Sequence, residues 1–136
     1  MLKLTCAIFL LTVSAIASRT AIAGTIEYSR AYQECVKAAH NSLTVRCATD
    51  ELQRQQAKLG REVDALMKVL PAARRAKLTN VQRLFEAYRE ANCKFYGTSL
   101  NGPGYYMHDV NGAMCRLHMT ADRASELRYF LQVNRG

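Results

Sequence analysis

The sequence predicts an all-α fold: a long antiparallel helical hairpin with shorter N- and C-terminal helices packed on it, stapled by two disulfides. Three observations carry this. Between Gly24 and Gly102 the only proline is Pro71, and good helix formers dominate the interval. Apolar residues recur there at steps of three, four and seven, as on an amphipathic helix packed in a hairpin or bundle. Beyond the leader stand four cysteines, Cys35, Cys47, Cys93 and Cys115. An even number in a small exported chain reads as a disulfide framework.

The N-terminus is read separately. Met1-Leu2-Lys3 is a basic start, Leu4 to Ala17 is apolar, and Ala21-Ile22-Ala23 is a small-x-small tripeptide before Gly24. That is the layout of a secretory signal peptide, residues 1–23, with cleavage near Ala23. An apolar run of about 14 residues is too short for a spanning helix, and Cys6 lies at its start rather than after it, which argues against a lipoprotein. Residues 24–136 are expected to form one helical domain, periplasmic or secreted. Lys3 and Arg19 leave with the leader, so 17 basic residues stand against 11 acidic ones. That excess favours anionic partners such as cell-wall material or a membrane surface. Export argues against nucleic acid, and the basic residues are spread along the helices rather than massed in a run.

A first helix is expected from about Ile26 to Ala39, with His40-Asn41-Ser42 as its exit and Ser42 or Thr44 as the next cap. The second, about Thr44 to Leu70, carries Leu52, Leu59, Val63, Leu66 and Leu70 on one stripe. Gly60 interrupts it at a cost of about 1 kcal/mol against alanine, which suggests close packing there. Leu70-Pro71 ends that helix, because proline restricts its predecessor and suits the first turn of the next.

The third helix, about Ala72 to Tyr96, carries Leu78, Val81, Phe85, Tyr88, Asn92 and Phe95 at alternating three- and four-residue steps. Its short connection sets it antiparallel to the second. Gly97 to Gly104 is a loop, and Asn111-Gly112 reads as a further break. The last segment runs from Ala113 to Val133, with Thr120 as the cap of its final helix and Asp122 near that N-terminus.

Four cysteines allow three connectivities. Neighbour pairing, Cys35 with Cys47 and Cys93 with Cys115, is expected because each closes a short loop around a helix junction. Each closure contributes about 2–4 kcal/mol by restricting the unfolded chain.

The stretch QRLFEAYREANC, residues 82 to 93, raises the question of a site. On a helix, Gln82, Arg89 and Cys93 fall within about 80° of Phe85. An arginine so close to the buried stripe needs a carboxylate, and Glu51 or Glu126 is the expected partner. Glu51, Gln82 and Arg89 are therefore read as a structural polar core.

Reactive alternatives are weaker. His118 lies three residues after Cys115, where a base would stand for a nucleophilic thiol, but a disulfide accounts for both Cys93 and Cys115. Cys93, His108, Cys115 and His118 lack a second clustered ligand pair for zinc. No carboxylates are placed across a cleft, and no phosphate loop, hydrolase elbow or HExxH occurs. The expectation is a binding protein with no catalytic residue, metal or cofactor. Binding is assigned to the loop after the third helix. There Tyr105, Tyr106 and His108 sit among glycines, with Tyr96 and the basic Lys94 alongside.

These residues resemble the LprI-like lysozyme-inhibitor domain, a family of small exported bacterial proteins. Its pattern lands on Cys47, Glu51 and Leu59, then on Gln82, Arg83, Tyr88, Arg89 and Cys93, then on Cys115, Met119, Thr120, Arg123 and Leu127. Phe85 stands where tryptophan is usual, and Gly60 replaces an asparagine. The resemblance implies a protein partner, lysozyme or a related cell-wall hydrolase. It also implies inhibition by occlusion of the glycan cleft, whose chemistry uses two carboxylates.

Overall fold

The structure, a computed structural model, describes residues 26–40, 42–98 and 107–134. It contains four helices: α1 (Arg30–Ala38), α2 (Ser42–Val69), α3 (Ala72–Tyr96) and α4 (Met107–Val133). No strand occurs among the described residues. The signal-peptide reading of residues 1–23 lies outside them.

Local chemistry explains most boundaries. Helix α1 starts later than expected because Ser29 is its N-cap, its hydroxyl accepting from the Tyr32 amide at 3.1 Å. At the α2–α3 junction the Pro71 carbonyl accepts from the amides of Arg74 and Arg75 at 2.9 and 3.0 Å. Proline thus opens α3 without a side-chain cap. Gly97 closes α3, its amide donating to the Cys93 carbonyl at 2.9 Å.

The last helix departs from expectation. It is 27 residues long, not a short closing piece, and runs straight through Asn111-Gly112. A methyl group built on Gly112 would lie 3.4 Å from the Gly97 Cα and 3.5 Å from the Cys93 carbonyl oxygen. The start of α4 thus lies directly against the end of α3 at Gly112. Thr120 is not a cap but a fully buried residue in mid-helix, donating to the Arg116 carbonyl at 2.8 Å.

Helix α4 organises the bundle. It packs along α2 and also along α3, while α2 and α3 make little direct contact. Leu117 clusters with Cys47 and Ala48, and Leu127 and Leu131 cluster with Leu59 and Leu66, so α4 runs parallel to α2. Cys115 meets Cys93 and Arg123 meets Gln82, so α4 runs antiparallel to α3. The arms of the expected hairpin are antiparallel, with α4 packed against both. Buried Ala121 and Ala124 suit a helix flanked on two sides, because small side chains permit close approach.

Gly60 does not serve such a contact. It is exposed on α2, and a methyl group there would meet nothing within 4 Å.

Candidate functional site

The α3–α4 seam is a polar zipper closed by a disulfide. Cys93 and Cys115 are bonded with Cα atoms 5.4 Å apart, and Cys35 and Cys47 are bonded at 5.8 Å, the neighbour pairing. Met119 Sδ lies 3.7 Å from Cys93 Sγ and accepts from the Asn92 amide at 3.4 Å.

One turn further along α3, Arg89 donates to the Thr120 hydroxyl at 3.0 Å and, through Nε and Nη2, to Glu90 at 3.2 and 3.0 Å. Arg116 donates to the other Glu90 oxygen at 3.0 Å. The hydrogen bond from Arg116 and the charge of both guanidiniums hold the Glu90 carboxyl below its usual range. The expected partners of Arg89, Glu51 and Glu126, are both engaged elsewhere. A carboxylate next in sequence and a hydroxyl 31 residues away satisfy it instead.

Further along the seam, Gln82 is buried and accepts from Arg123 Nε at 2.8 Å, while Arg123 Nη1 pairs with Glu126 at 3.0 Å. The guanidiniums of Arg89 and Arg123 each stand 5.8 Å from the Phe85 ring centre, within cation–π range. The residues buried on α3 are thus Gln82 and Cys93, with Leu78, Phe85, Arg89 and Asn92 partly buried. Val81, Tyr88 and Phe95, expected in the apolar stripe, are exposed, Tyr88 at 61% and Phe95 at 72%. Tyr88 does not face α2.

Glu51 belongs to a second polar centre, on α2. It is fully buried and accepts from the Ser29 amide at 2.9 Å, from the Ser29 hydroxyl and from Gln55 at 2.8 Å. Burial alone would raise its pKa. The Ser29 and Gln55 hydrogen bonds, helped by Arg54, outweigh that and hold it below the usual range. Beside it, the Tyr28 hydroxyl and His118 Nδ1 are hydrogen-bonded at 2.6 Å. Burial, with Tyr32, Asp122 and Glu51 nearby, pushes the Tyr28 hydroxyl up to about 12, so it stays protonated and able to donate. His118 therefore straps the N-terminal segment to α4 and is not a base poised beside Cys115.

The tip of α3 carries Lys94, which the sequence assigns to binding. Lys94, Phe95 and Tyr96 are all exposed, and Phe95 and Tyr96 stack edge-on at 5.6 Å between ring centres. No carboxylate pairs with Lys94 among the described residues. The disulfide one residue before Lys94 anchors this tip to α4. Tyr105 and Tyr106 lie outside the described residues, as does the side chain of His108. Phe95 was missed as a surface residue because helical periodicity assigned it to the core. Among the described residues no group of three His, Cys, Asp or Glu side chains is placed to hold a metal ion.

The zipper and its anchored tip are a disulfide-stapled helical scaffold presenting exposed side chains from one end. A family model described as Lysozyme inhibitor LprI matches residues 35–127. The chain belongs to that family. No curated protein and no solved structure matches it. The matched region contains all four disulfide cysteines and both faces of the zipper.

Proposed function

We propose that this chain is an exported inhibitor of lysozyme or a related cell-wall hydrolase, a binding protein and not an enzyme. The observation that carries this reading is the family match over residues 35–127. Two intact disulfides fit an oxidising compartment outside the cytoplasm. In this reading residues 1–23 are removed and residues 24–136 act as one domain.

The inhibitory surface is the α3 tip with the loop that follows it. Exposed aromatic rings supply contact area at low entropic cost, and Lys94 offers an unpaired ammonium to the carboxylates of a glycan cleft. Tyr105, Tyr106 and His108, which follow the tip in sequence, are proposed as further contact residues from the sequence alone. Occlusion needs a rigid wedge, and the Cys93–Cys115 bond beside Lys94 supplies the rigidity.

The test is a cell-wall clearing assay with lysozymes of several classes, titrated with the purified protein. Inhibition is expected for the wild type, and loss of most of it for Lys94→Glu and for Phe95→Ala combined with Tyr96→Ala. Those positions are exposed, so circular dichroism should stay unchanged. Undiminished clearing at large molar excess against every class would refute the reading.

A further inference from the structure

The opposite end of the bundle carries a second surface. From residue 65 to residue 85 the chain has Lys68, Arg74, Arg75, Lys77 and Arg83 and no aspartate or glutamate. After Glu126 no acid follows on α4 either. The arginines along α4 and its seam with α3 have carboxylate partners: Arg89 and Arg116 on Glu90, Arg123 on Glu126, Arg128 on Glu27 and Glu62. Among the described residues Arg74 and Lys77 have none.

Those two cations border an apolar trough. Because α2 and α3 scarcely touch, a hollow of about 370 Å³ opens between them, lined by Leu66, Leu70, Leu78, Val81, Leu127 and Phe130. Leu66 and Leu127 are core residues and form its buried floor, while Val81 and Phe130 are exposed on its walls. A second hollow of about 350 Å³ shares Leu66, Leu70, Arg74 and Phe130 and lengthens the trough. The only polar side chains lining the first hollow are Arg74 and Lys77, three residues apart and so on one side of α3.

We propose that this trough binds a long-chain fatty acid, its acyl chain on the leucine floor and its carboxylate on Arg74 and Lys77. An acyl chain needs no hydrogen-bonding partner along its length, and beyond Arg74 and Lys77 the described walls of the first hollow offer none. An extended peptide would leave its amides unpaired there. A second copy of the chain would bring the same carboxylate-free, cationic end and be repelled. A flat bilayer surface would not reach the buried floor. The size lies in the usual range for small-molecule sites, which are mainly apolar with a few polar groups fixing orientation. This surface is distinct from the α3 tip: Arg74 and Lys94 are about 30 Å apart along α3.

The experiment is a calorimetric titration of the full-length protein with laurate, paired with methyl NMR. Laurate is expected to bind and to shift the methyls of Leu70, Leu78 and Leu127. Dodecyltrimethylammonium, with the same chain and opposite charge, should bind at least about tenfold more weakly. Arg74→Glu combined with Lys77→Glu should weaken laurate by about tenfold, the scale of two exposed ion pairs. Arg46→Glu, exposed at the far end of α2, should change nothing.

Equal affinity for the two amphiphiles, an unchanged double variant, or no methyl shift up to millimolar laurate would overturn the proposal. So would binding to phosphatidylglycerol vesicles that laurate fails to compete, which would indicate docking on a bilayer instead. Lysozyme inhibition is read separately, so failure of either proposal leaves the other standing.

Discussion

Where α3 meets the start of α4, a disulfide, two arginines sharing Glu90, and a buried threonine hold the helices together. Where α2 turns into α3, the contacts are leucine on leucine, the cations are unpaired and a trough stands open. The two ends obtain their order differently. Polar pairs such as Arg89–Thr120 and Arg123–Gln82 have few geometric solutions, so they set the register of α4 on α3. The apolar end gains its stability from area removed from water, which is non-directional. A surface that stays rigid suits a wedge, and one that accepts many shapes suits an apolar guest.

The largest expected effect breaks the apolar end. Leu66→Ala removes a fully buried side chain at the trough floor and should cost about 2–5 kcal/mol, measured by urea unfolding. Replacing Cys93 and Cys115 by serine breaks the other end and should cost about 3 kcal/mol through loop-closure entropy. The combination sharpens the comparison. Leu127 is about 18 Å along α4 from Cys115, so the two losses should add to within about 0.5 kcal/mol. A larger coupling would mean that the ends are not independent.

Glu51 supplies a smaller, pH-dependent term. Its folded pKa lies below the unfolded value, so the unfolded chain binds more protons as the pH falls. Its contribution is full above the ordinary carboxylate range and disappears as pH drops through the folded value. Glu51→Gln should therefore lower stability by about 2 kcal/mol at pH 7, and the gap between variant and wild type should close as the pH falls below the ordinary carboxylate range. Thermal unfolding across that range measures it, and a gap constant with pH would contradict the assignment. Glu90 shifts in the same direction but is half exposed, so it adds little.

The smallest effect is a gain. Gly60→Ala places a methyl group in open space on α2 and should stabilise by about 1 kcal/mol. A loss there would mean that something in solution covers that face.

Much of the helical framework was legible because its signals are local. Pro71 marked the α2–α3 junction, and α3 occupies the expected span, Ala72–Tyr96. Leu59 and Leu66, both on the α2 stripe, are buried. Of three possible cysteine pairings, short spacing favours the one observed. On α3 the buried face is rotated from the expected stripe toward Gln82, Arg89 and Cys93, with Leu78, Phe85 and Asn92 still partly buried. Periodicity ranks residues by polarity, so it buried Val81, Tyr88 and Phe95 and left Gln82 and Arg89 at the edge. Burying Gln82 and Arg89 depends on Arg123 and Thr120, 41 and 31 residues away. No local pattern carries that information. The aromatic tip became visible only once the face was corrected.

By itself the sequence determined that the chain is helical, where Pro71 divides its long helices and which family signature it carries. Each of these rests on backbone preference or on short spacing. Tertiary structure alone decided that α4 would be a full-length helix packed against both α2 and α3. That outcome needs alanines beside α2 and paired polar groups beside α3 at once. It also decided which apolar residues stayed outside, because a partly buried arginine with its partners in place lies on the inner side of α3 while Tyr88 lies outside.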